Sequence, residues 1–183
     1  MAQDPDRNGF AQFALPHLDA AYNLARWLTR DDHMAEDVVQ EAYLRAFKFF
    51  DGFRGGDGKA WVLAIVRNTF FTLRKRNSSA HLHEPFDDEV HDGPVEHGTH
   101  GEDPQALLVR NADGQVVRQA LETLPEEFRE VLVLREIEEM DYRQIAAVTN
   151  VPIGTVMSRL ARARAGLKAR WQEQQGGEPR AVR

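Results

Sequence analysis

Between residues 150 and 170, in the stretch NVPIGTVMSRLARARAGLKAR, five cations stand with no acid among them: Arg159, Arg162, Arg164, Lys168 and Arg170. They do so in a chain whose formal net charge is −6. Guanidinium and hydroxyl groups set at helical spacing share one chemistry. Arginine reads guanine bidentately, and arginine and serine both hold phosphate oxygens. At roughly 100° per residue, Thr155, Ser158, Arg159 and Arg162 fall together on one flank, while Met157, Arg164 and Lys168 lie on the other. The small residues Gly154, Ala161 and Ala165 keep the surface between them slim enough to approach a groove wall.

An isolated basic run is most often a solvated face. Here the elements around it argue for duplex DNA. Val156, Leu160, Ala163 and Leu167 recur at offsets of four, three and four, which defines one buried stripe beneath the cations. Upstream, Asp141 followed three residues later by Gln144 has the pattern of a capping box, so a short helix starts at Tyr142 and turns Ile145, Ala146 and Val148 inward. TNVP then breaks it, because Pro152 disfavours a helical Val151 while suiting a first helical turn itself. Two helices joined by a tight turn make a helix-turn-helix. Between residues 141 and 170 there are six basic residues against one acid.

The totals set outer limits. The chain has 183 residues, 42% of them hydrophobic and 28% charged, and no cysteine. Disulfides, thiolate metal clusters and cysteine nucleophiles are thereby excluded. The N-terminal MAQDPDRNGF has no basic region followed by an apolar one, and the longest plain apolar run, WVLAIV, is too short to span a bilayer. The expectation is a cytoplasmic protein without membrane insertion.

The negative charge is segregated. Residues 78 to 105 hold eight acids, no Lys or Arg, five of the seven histidines and three prolines. Without those eight acids the rest of the chain is at +2. Scattered Gly and Pro and the lack of an apolar pattern leave this segment unable to offset the entropy of ordering, so it reads as a flexible acidic linker. Its histidines His81, His83, His91, His97 and His100 match no helical metal-ligand pair such as HExxH, and a flexible segment preorganises poorly. No catalytic residue, metal site or cofactor is assigned, and the protein is read as not an enzyme.

Both flanks read as helical: FAQFALPHLDAAYNLARWLTR, then DDHMAEDVVQEAYLRAFKFF behind a capping Asp, a glycine-rich break DGFRGGDGKA, and WVLAIVRNTFFTLRKR. On the other side, DPQALLVRNADGQVVRQALETL stops at Pro125 and EEFREVLVLREIEEM follows. No segment alternates with period two, so the fold class is all-α. The organisation is two small helical domains, 1–77 and 105–175, with linker 78–104 and a disordered tail 176–183. Trp61, Phe47, Phe49, Phe50, Phe70 and Phe71 are assigned to core packing.

ALETLPEEFREVLVLREIEEMDYRQIAAVTNVPIGTVMSRLARARAGL resembles region four of the extracytoplasmic-function group of bacterial sigma factors. AEDVVQEAYLRAFKFFDGFRGGDGKAWVLAIVRNTFFTLRKR resembles their region two, and the middle domain is missing as is typical of that group. The resemblance implies a factor that joins core RNA polymerase, opens the minus-10 element with its first domain and binds the minus-35 element with its second, with an anti-sigma factor as a further partner. It implies polymerase clamp contacts for Asp37, Gln40 and Glu41. For the minus-10 element it implies Phe53 and Arg54, which stack on and hold a flipped base, together with Asn68, Arg74, Lys75 and Arg76. For the minus-35 element it implies Thr155, Ser158, Arg159 and Arg162. Met157 departs from the pattern, standing where many relatives carry a basic residue, and leaves the base read there open. The alternative is a free-standing helix-turn-helix regulator, which explains residues 141–170 but not EDVVQEAYLRAF followed by FRGGDGKAWVLAIVRN.

Overall fold

The computed structural model describes residues 5–80 and 118–175, with side chains for 9–78 and 118–170. The linker residues beyond Ala80, the segment up to 117 and the tail from 176 lie outside the described residues, and with them the five linker histidines. Every regular element among the described residues is helical. In order these are α1 Pro5–Ala14, α2 Leu18–Thr29, α3 Asp32–Phe49 and α4 Gly58–Ala80. A helical stretch over 118–122 leads to α5 Glu126–Leu132, α6 Tyr142–Thr149 and α7 Ile153–Gln175.

Local chemistry explains the boundaries. The first predicted helix is split, because Pro16 lies in a short 3-10 turn, Leu15–His17, between α1 and α2. Arg30 closes α2 in a left-handed conformation, φ 60°, and Asp31 opens α3 by accepting a hydrogen bond from the Met34 amide at 2.7 Å. Such a cap is worth about 1 kcal/mol. Asp57 does the same for α4, accepting from the Ala60 amide at 2.9 Å, and this bond holds its carboxyl below the usual carboxylate range. α5 does not run on as one α-helix. It passes into a π-helical turn, Val133–Ile137, and ends with Glu139 at φ 55°, a backbone adjustment that the apolar spacing of VLVLREI does not reveal.

α2, α3 and α4 pack as a three-helix group whose contact faces are rich in alanine: Ala21 and Ala25 from α2, Ala35 and Ala42 from α3, and Ala60 from α4 are all buried. These small side chains let the helices approach while Leu24, Leu63 and Val66 fill the centre. Most of the second half's core is continuous with this one. Val131, Leu134, Met140, Ile145, Val148, Val156 and Leu160 belong to the same buried cluster as Leu24 and Leu63, and Trp27 of α2 packs on a smaller cluster of Leu121, Leu124, Leu132 and Ala163. The two halves are thus joined by apolar contact.

Two aromatic assignments are corrected. Phe47 and Phe49 were expected in the core, yet they are 40% and 65% exposed at the end of α3. Phe47 falls well round α3 from the buried stripe of Ala35, Val38, Val39, Ala42 and Ala46, whereas Phe49 is on the line of that stripe but is the last residue of the helix, one turn past Ala46, the last residue α3 buries.

Candidate nucleic-acid and polymerase interfaces

The helix-turn-helix is built as its sequence requires. Both halves of the capping box are present: Asp141 accepts from the Arg143 and Gln144 amides at 2.8 Å each, and the Asp141 amide donates to Gln144 Oε1 at 2.6 Å. Asn150, left-handed at φ 54°, ends α6, and the Pro152 carbonyl accepts the first amides of α7, from Thr155 at 2.9 Å and Val156 at 3.1 Å. Val156, Leu160 and Ala163 are buried against α5 and α6, while Leu167 is only partly buried on the smaller cluster. That anchoring turns Gly154, Met157, Ser158, Ala161, Arg162 and Ala165 outward.

The four residues predicted for the minus-35 element therefore share one helix, but not one environment. Arg162 is exposed and has no ion pair among the described residues. Ser158 donates to the Thr155 carbonyl at 3.0 Å, and Arg159 leans back toward α5, 3.3 Å from Glu127. Arg164, on the other flank, is held by Glu136 at 2.8 Å.

The loop before α4 carries the predicted pocket. Gly55 and Gly56 have φ of 89° and 120°, where a side chain would be strained. A Cβ on Gly58 would come within 2.8 Å of the Phe13 ring, so a larger residue there would have to push that ring aside. The Phe53 ring lies 4.8 Å from both Phe13 and Trp61, partly exposed at the edge of an aromatic cluster completed by Phe10 and Phe50. Arg54 beside it is exposed. One face of Phe53 is thus committed to the cluster, and Trp61 packs there too.

Along α4, Asn68, Lys75 and Arg76 are exposed, whereas Arg74 is not available in the same way. Its guanidinium lies over Phe70 and Phe71 and pairs with Glu126 of α5 at 2.5 Å. Arg67 pairs with Glu130 at 2.5 Å, and Lys59 pairs with Glu138 at 2.9 Å while donating to the Glu138 carbonyl at 2.7 Å. The acids of α5 and the turn after it thus lie along α4 in reverse order. Gln144 reaches Asp57, and Asn23 reaches Glu138 at 3.2 Å, completing a polar belt between the halves. Glu130 is 2% exposed. Burial raises its pKa, opposed by the Arg67 hydrogen bond and charge. These acids were missed as functional residues. Their signal was the i, i+4 pair Glu126 and Glu130 together with the i, i+7 pair Arg67 and Arg74, though spacing alone does not match one pair to the other.

On α3, Asp37 and Gln40 are exposed and Glu41 is partly so. Arg45, one turn on, hydrogen-bonds Glu41 at 2.8 Å and keeps its carboxyl below the ordinary value. Leu44 lies on the same line, four residues past Gln40, and is exposed. It was not singled out from sequence, although an apolar residue on an otherwise polar face was the available clue.

A helix-turn-helix with outward cations and a separate glycine loop lined by aromatic and basic residues thus stand on one chain. Comparison with known proteins places that combination. The family model for Sigma-70 region 2 matches residues 13–80, and that for Sigma-70, region 4, matches residues 114–167. The chain is 32% identical to the RNA polymerase sigma-H factor of Pseudomonas aeruginosa, covering 88% of this chain and 86% of that one. It is 34% identical to the ECF RNA polymerase sigma-E factor of Escherichia coli K12, covering 70% and 69%. It is 32% identical to the ECF sigma factor SigE of Mycolicibacterium smegmatis, where 83% of this chain spans 57% of that protein. Among solved structures, the sigma factor RpoE in complex with the anti-sigma factor NepR from Bartonella quintana superposes with TM-score 0.70 at 30% identity, covering 90% of this chain and 97% of that one. CnrH in complex with the cytosolic domain of CnrY gives 0.58 at 26%, covering 89% and 87%.

The chain belongs to the sigma-70 family of RNA polymerase sigma factors, in its extracytoplasmic-function group. Sigma factors bind core polymerase and promoter DNA to start transcription and are not themselves enzymes. Among the described residues, no helix is long and apolar enough to cross a membrane.

Proposed function

We propose that this chain directs promoter opening by dividing the work between its halves in the cytoplasm. α7 enters the duplex at the minus-35 element, with Thr155, Ser158, Arg159 and Arg162 on the reading flank. Phe53 and Arg54, with Asn68, Arg74, Lys75 and Arg76 on α4, hold the melted minus-10 strand, where stacking of a base on an aromatic ring is worth ~1–3 kcal/mol. Asp37, Gln40 and Glu41, with Leu44 beside them, grip the polymerase through an acidic face with an apolar centre. The observation that carries this reading is the pairing of a complete helix-turn-helix with a glycine loop and basic helix in one chain.

Strand capture by α4 requires Arg74 to exchange Glu126 for a phosphate, so α5 must leave α4 when the holoenzyme engages DNA. An anti-sigma factor that keeps the halves together would oppose that exchange. Complexes of the similar RpoE with NepR and CnrH with CnrY support such a partner here.

The test is to mix the purified chain with core polymerase, footprint promoters and map transcript starts. Association with core and protection of both elements is the expected result. Duplex binding without any affinity for core would favour the free-standing regulator instead. Asp37→Arg, on an exposed position, should impair assembly with core while the variant keeps its helical circular dichroism and denaturation midpoint, and normal assembly would remove Asp37 from the clamp contact.

A further inference from the structure

α7 carries four large apolar side chains over its first eight residues, and they divide by environment. Val156 and Leu160 are buried, with 1% exposure or less, and Ile153 and Met157 are 41% and 52% exposed. The exposed two are one helical turn apart, on the flank opposite Arg162, with the small residues Gly154 and Ala161 between the flanks. They take no part in the core stripe. Met157 stands at the fifth residue of the helix and Ile153 at the first, in the part of a recognition helix that meets base edges.

The chemistry of that flank narrows what it can meet. Neither side chain can pair with a phosphate or with a polar base edge. Arg164, two turns beyond Met157 on the same line, is engaged by Glu136 at 2.8 Å, so the nearest cation is already paired. In the major groove each base pair presents polar edge atoms, and the single apolar group is the C5 methyl of thymine. Methionine is unbranched, flexible and polarisable, suited to covering such a methyl.

We infer that Met157, backed by Ile153, reads the 5-methyl group of thymine in the duplex element bound by α7, so that one flank of the helix selects by apolar contact while the other selects by arginine hydrogen bonding. The inference rests on the reading that α7 enters the major groove of promoter DNA.

A substitution of one atom group tests it. The full chain is assembled with core polymerase on a promoter found by footprinting, and each thymine of the upstream element is replaced in turn by deoxyuridine, which removes only the methyl. Wild-type holoenzyme should lose roughly three- to fivefold in affinity at one or two neighbouring thymines, the value of one buried methyl. Met157→Ala should bind the unmodified promoter more weakly by a similar factor and be indifferent to deoxyuridine at that same position, while Arg162→Ala stays sensitive to it. An element without thymine, wild-type indifference at every thymine, or undiminished sensitivity in Met157→Ala would each overturn the inference. So would a Met157→Ala defect confined to binding core or another protein. If upstream protection is lacking in wild type and Arg162→Ala changes nothing, the groove reading itself fails, an outcome distinct from the loss of methyl dependence alone.

Discussion

α4 and α7 are both long helices that carry several cations, and the structure treats those cations differently. On α4, Lys59, Arg67 and Arg74 are matched to Glu138, Glu130 and Glu126 from the other half. On α7, Arg162 faces outward with no ion pair among the described residues, and Arg159 and Arg164 meet only exposed acids, Glu127 and Glu136. Equal charge thus has unequal availability. The surface proposed to read duplex is open in this arrangement, whereas part of the surface proposed to capture a strand is covered by acids.

The largest expected effect lies in the buried part of this contrast. Arg67→Ala leaves Glu130 without its guanidinium in a site only 2% exposed, and removing one partner of a buried pair costs about 3–5 kcal/mol, to be read from urea denaturation of the full chain. A loss below about 1 kcal/mol would mean that the pair is solvated and that the belt is not a lock. The pH dependence has a definite sign. Burial raises the folded-state pKa of Glu130 above its ordinary value of 4.5, so this group's contribution to stability is greatest below that value and is lost as pH rises through the folded pKa. Without Arg67 the shift is larger. The cost of Arg67→Ala should therefore be greatest near neutral pH and shrink as the solution is acidified toward pH 5, provided the variant is compared with wild type at each pH.

On the open side, Arg162→Ala should weaken upstream promoter binding by roughly 1–3 kcal/mol in holoenzyme competition assays and leave denaturation unchanged, since the side chain supports no described contact. An equal loss on every sequence would assign it to phosphate rather than to a base.

The smallest effect sharpens the availability argument. Glu126→Gln removes a partly exposed partner of the exposed Arg74, and such surface pairs contribute less than about 1 kcal/mol, so the midpoint should barely move. Binding of the free protein to a single-stranded minus-10 oligonucleotide should nonetheless increase, measured by fluorescence anisotropy at low salt. Unchanged binding would show that Glu126 does not compete with DNA.

Much of the local structure was legible because its causes are local. Asp31 and Asp141 cap the helices they precede, Gln144 completes its box, and the Val156, Leu160, Ala163 stripe is buried as its spacing requires. The exposed apolar residues were not legible in the same way. Phe49 and Leu44 look like core residues by type, but Leu44 lies on the side of α3 turned away from α2 and α4, and Phe49 lies at the end of the helix past its last buried residue. The π turn at Val133–Ile137 was hidden for a related reason, since one extra residue in a turn hardly alters an apolar pattern.

What the sequence determined by itself is the set of helices, their caps and the helix-turn-helix, because periodicity, capping and turn chemistry act within a few residues. What only the tertiary structure decided is which of those charges are free. Arg67 finds Glu130 across 63 positions and Arg74 finds Glu126 across 52, pairings chosen by how the shared apolar core brings the halves together and invisible to any short-range rule.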